Sequence, residues 1–365
     1  MAYGKILVDQ IESSNGEVLE VPTALSSIAT NTADIETNTT SIATNTSTIS
    51  NILGVLPFYK TDLYDVCFKA PTTTTVSLSC DISVVIDGTL FSVLEDTAVS
   101  LPTLTVGTDY AIYCDSTGNL TASGDFELTT GLKIGGFHYG NGAIKEYSFW
   151  DLKFRPKCED PRGMVIDPSR RAFWSDIYLL NNTPDALGTS CYNATIADGD
   201  SPCVIPALFG GDGSTTYSNH TWYLSAEVLS AYGKRHPTHA EFTILAKGTT
   251  TGYAVGSDPV TTKFDSSAES TIGCEQVSGH MYQWGAETWD RGNGATNYSW
   301  YTEDTNNEGN VFGGLDSESV GAVRLGGNWV DSGHSGARCS SWGLGPWYSL
   351  SNYGSRGVCD HLCII

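Results

Sequence analysis

The sequence predicts an α+β fold, mostly β, made of an N-terminal stalk, a β-sandwich and a C-terminal domain rich in loops. Three observations carry this. Ile28, Ile35, Ile42 and Ile49 recur every seven residues, and Asn31, Asn38 and Asn45 follow the first three at a spacing of three. From Phe58 to Pro156, short apolar runs alternate with polar residues and are punctuated by Gly, Asn and Asp. Beyond Lys157, two helical patterns give way to Gly-, Asn- and Trp-rich stretches with few strands. The resulting divisions are residues 1–22, 23–57, 58–156 and 157–365.

The first division alternates through Ile6, Val8 and Ile11, turns at Asn15-Gly16 and resumes at Val18, Leu19 and Val21, a hairpin pattern. It resembles the attachment segment of phage tail proteins. In the second, Ile at a and Asn at d describe a coiled coil whose alternate core layers are polar, an arrangement that costs stability and sets register and strand number. The pattern ends through Ile52 and Leu56 at Pro57, and such a helix would be about 42 Å long at the α-helical rise. The repeat resembles the trimeric stalks of phage fibres and bacterial adhesins, so a homotrimer is expected.

In the third division, Val76, Leu78 and Cys80 alternate with Ser, and residues 82–86 and 90–94 flank an Asp87-Gly88 turn. Runs at 101–106, 110–114, 120–122 and 132–138 continue at meander spacing, the pattern of a β-sandwich. In the fourth, residues 222–232 carry Trp222, Ala226, Leu229 and Tyr232 on a helical face. A second helix opens with the capping box Thr238 to Glu241 and stops at Gly248.

A charge of −22, from 41 acidic and 19 basic residues, argues against nucleic acid or an anionic membrane as partner. No signal peptide or membrane span is predicted. Acidic side chains could hold a structural calcium, and no other cofactor is expected; residues 303–308 are oxygen-rich but read as an exposed polar loop. Ten cysteines lack a CxxC pair, which speaks against structural zinc. Cys191 with Cys203, and Cys359 with Cys363, are either bridges or buried thiols. His236 and His239 read as surface residues, and Glu275, Glu287 and Asp290 as an acid group with nothing to set its spacing.

The last forty residues hold Trp329, Trp342, Trp347, Tyr348 and Tyr353 among Ser, Gly and Asn, with Asp331 and Asp360 as the only acids. Tyr and Trp give broad contact area at low entropic cost, and Ser, Gly and Asn give adaptable hydrogen bonds. This is the composition of a binding surface.

Longer strings carry a resemblance. Phe137-His138-Tyr139, the run from Glu146 to Pro156, Asp160 to Met164, Phe209 to Ser214 and Gly357 to Leu362 resemble the major tropism determinant family of phage proteins, from about Phe58 to the C-terminus. The resemblance implies a trimeric tail-fibre tip on the virion, acting outside the cell on a host-surface protein or glycan receptor. It further implies a C-type lectin-like head, no membrane insertion, and variable residues rewritten by a diversity-generating retroelement. Carried over, the variable ligand-binding set is Asn328, Val330, Ser332, His334, Ser341, Gly343, Leu344, Tyr348, Leu350, Asn352 and Tyr353. Trp329, Arg338, Trp342 and Arg356 would be scaffold, together with Gly327, Gly336, Gly345, Pro346, Gly354 and Gly357. A spacing of two within 328–334 and 348–352 sends side chains to one face of extended chain. On that basis Tyr348 and Tyr353 should both be removable without loss of stability. Arg338 and Arg356 read as buried forks for loop carbonyls or carboxylates.

A cell-surface or secreted adhesin of the same fold is the alternative. A looser likeness to formylglycine-generating oxidases runs through residues 279–284, 324–329 and Arg338-Cys339. That chemistry needs two neighbouring copper-binding cysteines and only Cys339 lies nearby, so no enzyme activity is expected.

Overall fold

Short alternating runs give short strands, and the architecture is mostly β. The computed structural model describes residues 10–12, 18–20, 30–41, 57–290, 299–301, 311–313 and 320–363. The chain divides into two compact units, Met1–Tyr59 with Val85–Leu90, and Lys60–Val84 with Phe91–Ile365. None of the described helices is long and apolar enough to cross a membrane.

In the first unit, strands Gln10–Glu12 and Val18–Glu20 pair antiparallel, with Gln10 opposite Glu20. This is the pairing expected around Asn15-Gly16, whose turn lies outside the described residues. Residues 30–41 form a helix in which every residue is exposed, Ile35 by 65%. Thr37, Thr39, Thr40 and Ser41 each donate a hydroxyl hydrogen bond to the carbonyl four residues earlier. That back-bonding accommodates the hydroxyl side chains that fill the non-heptad positions. The heptad residues Ile28, Ile42, Asn45 and Ile49 lie outside the described residues. Asp87 and Gly88 have φ of 49° and 76°, the paired positive values of a two-residue hairpin turn.

In the second unit, a four-stranded sheet runs Trp150–Asp151, Leu132–Tyr139, Thr108–Cys114, Leu120–Ser123. Residues 101–106, expected as a strand, form none. Pro102 has no N–H for a ladder, and the Thr105 N–H instead donates to the Tyr110 hydroxyl at 2.7 Å. Residues on both sides of position 156 belong to this one unit, and buried polar contacts span it. His138 lies 3.0 Å from both Asp109 Oδ1 and the Tyr178 hydroxyl, and Lys145 Nζ donates to Glu275 at 2.8 Å.

Past 156, a second antiparallel sheet runs Phe154–Pro156, Val358–Cys363, Phe173–Asp176, Met164–Ile166. It sets strand Val358–Cys363 between Phe154–Pro156 and Phe173–Asp176. A third sheet runs Ser299–Tyr301, Val311–Gly313, Ser340–Ser341, Val320–Leu325, Tyr282–Asp290, Tyr353–Gly354. Its last pair is parallel. Phe173, Ile177, Phe242, Leu245, Val277, Val323, Leu325 and Val358 form the core between these sheets and the helix His239–Leu245. That helix carries the full capping box: the Thr238 side chain accepts from the Glu241 N–H, and the Glu241 carboxylate accepts from the Thr238 N–H. Helix Trp222–Ala231 is capped by Thr221, whose side chain accepts from the Leu224 N–H.

Two open questions are settled here and one sequence expectation changes. Cys191 and Cys203 are not bridged; Cys203 is buried and its thiol donates to the Asn181 carbonyl at 3.6 Å. Cys359 and Cys363 lie on one extended strand, which holds their Cα atoms about 13 Å apart, well beyond the ~7 Å that a disulfide spans. His236 is buried, not on the surface; its Nε2 lies 2.8 Å from Ser225 Oγ and its ring packs on Trp222.

Burial pushes His236 down to about 3, with His220 as a further cause, and pushes His220 down to about 4. Unfolded, both rings titrate near pH ~6.5. Below that pH the unfolded chain takes up protons that the native chain refuses, so stability is complete above ~6.5 and is lost as pH falls towards the native values. Each ring should cost about 3 kcal/mol by pH ~4. Thermal unfolding of the wild type and of His220→Gln between pH 7 and 4.5 checks this. The variant should lose less stability on acidification, and equal slopes in the two proteins would contradict the assignment.

Candidate functional site

Residues 342–357 are loop and turn apart from Tyr353–Gly354, so their backbone groups must find partners elsewhere in the domain. They do so at short intervals. The carbonyls of Leu344, Pro346, Leu350, Asn352, Ser355 and Gly357 accept from the N–H groups of Ala322, Trp222, Gly199, Tyr282, Leu180 and Asp176, at 2.8–3.1 Å. Ser349 Oγ accepts from the His220 N–H at 2.8 Å. A Cβ at Gly199 would lie 2.6 Å from Leu350 N, so only glycine lets the two backbones meet. The main chain is tied down at these points, and within it the side chains of Trp347, Tyr348 and Leu350 are exposed.

Arg356 does the same for the loops behind. It is fully buried, and its guanidinium donates to Gln283 Oε1 at 3.0 Å and to the carbonyls of Asp176, Ile177 and Glu275. Arg338 is half-buried beside His239. Trp342 donates from Nε1 to Ser340 Oγ at 2.9 Å, with its ring 4.9 Å from that of Trp289. Trp329 packs on Leu179, Ile196 and Met281. At Gly326 and Gly327 φ is 90° and 79°, and a Cβ would meet Val277 O at 2.6 Å or Ser335 Oγ at 2.5 Å.

The eleven residues nominated as variable fall into three layers. Val330, Ser332, Tyr348 and Leu350 are exposed; His334, Leu344 and Asn352 are half-buried; Asn328, Ser341, Gly343 and Tyr353 are buried. The spacing of two does not give one face in residues 328–334. Asn328 accepts the Val330 N–H on Oδ1 at 2.8 Å, its own N–H donates to Asp331, and Ser332–His334 is a 3-10 turn. Trp347 is 52% exposed, with its ring stacked beside that of Tyr348 at 6.2 Å, yet the residue pattern did not nominate it. Its signal was local: an aromatic straight after Gly345-Pro346, where a Cβ on Gly345 would lie 2.4 Å from the indole.

Beneath the exposed layer sits a cation. Arg324 is buried, with its guanidinium 4.7 and 4.8 Å from the ring centres of Tyr282 and Tyr353, within cation–π range. It donates to the Tyr353 hydroxyl and to Ser341 Oγ. Burial pushes the Tyr353 phenol up from its ordinary value, and Arg324 opposes that shift. Tyr353 also meets the edge of Trp284 at 5.3 Å. This floor can support a ligand only indirectly, by holding the shape of what lies above it. Among the described residues no group of three or more His, Cys, Asp or Glu is arranged around a metal site, and the oxygen-rich run 303–308 lies outside them.

Tyr348 and Tyr353 therefore should not behave alike. Tyr348→Ala should leave denaturant stability almost unchanged. Tyr353→Ala should cost about 3–5 kcal/mol, the usual loss for a buried aromatic, because it empties the space beside Trp284 and strands Arg324. Urea unfolding of the two single variants measures both, and similar midpoints would refute the layering.

Comparison with known proteins gives the family. The second domain of the Mtd family matches residues 56–149. The tail fiber receptor-binding protein of Bordetella phage BPP-1 is 38% identical over 335 residues, covering 84% of this chain and 85% of its own length. Among solved structures, the major tropism determinant U1 variant is 39% identical with a TM-score of 0.75, covering 84% of this chain and 86% of the other. The P3c variant is 40% identical over the same shares, also with a TM-score of 0.75. At that identity and coverage, the chain belongs to the major tropism determinant family of phage proteins.

Proposed function

We propose that this protein is the receptor-binding tip of a phage tail fibre, a homotrimer carried on the virion and acting outside the cell. Its C-terminal domain is a C-type lectin-like head, and its ligand is a host-surface protein or glycan. Val330, Ser332, Trp347, Tyr348 and Leu350 make first contact, with His334, Leu344 and Asn352 behind them. The observation that carries this is the pinned backbone of residues 342–357: six carbonyls are satisfied by the domain, so the exposed Trp347, Tyr348 and Leu350 can change without removing those hydrogen bonds. A surface with that property suits rewriting by a retroelement, which alters residues and leaves the frame intact. The fully exposed helix at residues 30–41, with apolar Ile35 in a heptad register, supports a stalk whose cover comes from two further copies of the chain. Weak contacts at each head would then add up through avidity.

Binding is tested with the full-length protein on cells of the host. Tyr348→Ala and Trp347→Ala should each lower cell binding at least tenfold with an unchanged melting temperature. Retention of wild-type binding in the double variant would reject this surface. For the stalk, Ile35→Asp should convert a trimer into monomer in analytical ultracentrifugation, and a monomeric wild type would reject it. Related phage genomes test the diversification: substitutions should concentrate at the eleven nominated positions, against a near-copy of the coding segment beside a reverse transcriptase gene.

A further inference from the structure

Strand Phe154–Pro156 opens the C-terminal domain and strand Val358–Cys363 closes it, and the two pair with Phe154 opposite Cys363 and Pro156 opposite His361. Continued by two residues, that register sets Lys157 opposite Asp360 and Cys158 opposite Cys359. The Lys157 N–H donates to the Asp360 carbonyl at 2.9 Å, the last bond that ties the two chains at this end. Cys158 therefore sits beside Cys359 just past the end of the ladder, where the chain bends and Arg235 takes the next place against Val358; in a regular non-hydrogen-bonded pair Cα atoms approach to about 4.5 Å. A disulfide needs Cα atoms about 4.4–6.8 Å apart. Both side chains point into one buried cluster with Met164, Ile166 and Trp174.

We propose that Cys158 and Cys359 are a latent disulfide that closes once the protein leaves the reducing cytoplasm where it is made, stapling the first strand of the domain to its last. The Cys158 thiol donates to the Asp160 carbonyl at 3.2 Å and lies 3.6 Å from Met164 Sδ; Cys359 beside it holds Cys158 above the ordinary thiol value, and Cys158 holds Cys359 below it, which makes Cys359 the readier thiolate. The reaction needs a small-molecule disulfide such as oxidised glutathione. The Cys359 thiolate attacks one of its sulfurs, forming a mixed disulfide and expelling one thiolate. Cys158 then gives its proton to that thiolate and attacks Cys359 Sγ, expelling the second. Two protein thiols are oxidised and one small disulfide becomes two thiols. Both sulfurs are nearly inaccessible, so the reagent enters as the edge strand Phe154–Pro156 opens, and the rate should follow that opening. The closed loop spans the whole domain, and long loops gain most from cross-linking.

The test uses full-length protein purified with a reductant and then held in oxidised glutathione or kept reduced. Non-reducing peptide mapping after denaturation and alkylation should recover Cys158 joined to Cys359 only in the oxidised sample. The melting temperature should rise by about 5–10 °C on oxidation and fall back with dithiothreitol; Cys158→Ser should abolish the rise. If both cysteines remain fully alkylated after prolonged oxidation, or if either is found joined to a different cysteine, the assignment is overturned. The mapping uses wild-type protein, so poor folding of the serine variant cannot obscure the result.

Discussion

A domain that commits so much chain to loops depends on satisfying buried backbone without ladders, and Arg356 is where that requirement is concentrated. Its fork reaches the carbonyls of Asp176, Ile177 and Glu275 together with Gln283, and so joins an inner strand of the second sheet, the loop after it and the segment entering the third sheet. A lysine in its place would offer a point charge without the planar fork. Burying that guanidinium costs desolvation, which lowers its affinity for a proton, and nearby thiol and carboxylate groups counter the shift. The carbonyls it satisfies would otherwise each carry a penalty of about 1–3 kcal/mol.

The same logic explains why the exposed layer can be tolerant while the floor cannot. Above, six main-chain carbonyls of residues 344–357 accept from the rest of the domain, and a change at the exposed Trp347, Tyr348 or Leu350 leaves those bonds in place. Below, Ser341 and Tyr353 are themselves the acceptors of a buried cation. Replacing either leaves a charge in a low-dielectric site short of a partner, a loss larger than that of the contact itself. Substitution at these two positions is therefore limited by Arg324: acceptors such as Asn, Asp, Ser or Tyr fit beside it, and aliphatic residues do not. The surface has a free layer and a constrained one, even though both lie in one segment.

Much of the fold was legible because its signals are local. Thr238 and Glu241 announce a helix start through capping chemistry alone, and Asp87-Gly88 announces a hairpin through φ. Residues 101–106 misread as a strand because apolar alternation outweighed Pro102, which decides the matter by lacking a donor. His236 looked superficial beside His239 in a polar stretch; its burial follows from Trp222 and Ser225, which reach it from a helix about ten residues earlier. Of the candidate site, composition pointed to the last forty residues. It did not separate Tyr348 from Tyr353, because burial depends on Trp284 and Arg324, which lie far off in sequence. Trp347 escaped for the opposite reason, since positions had been selected by resemblance and not by exposure.

Where the display segment sits in the chain follows from the sheets. Strand Val320–Leu325 precedes it and strand Val358–Cys363 follows it, each paired with strands on both of its own sides. A segment held at both ends by central strands loses little freedom when its middle binds a ligand, so the ordering cost of binding has largely been met in folding. The arrangement also puts the last strand against the first strand of the domain, Phe154–Pro156. Slippage of the C-terminus would then release not a tail but the frame beneath the contact residues. Stability at this seam and constancy of the surface are one physical problem, and the pairing of residue 158 with residue 359 lies where the two meet.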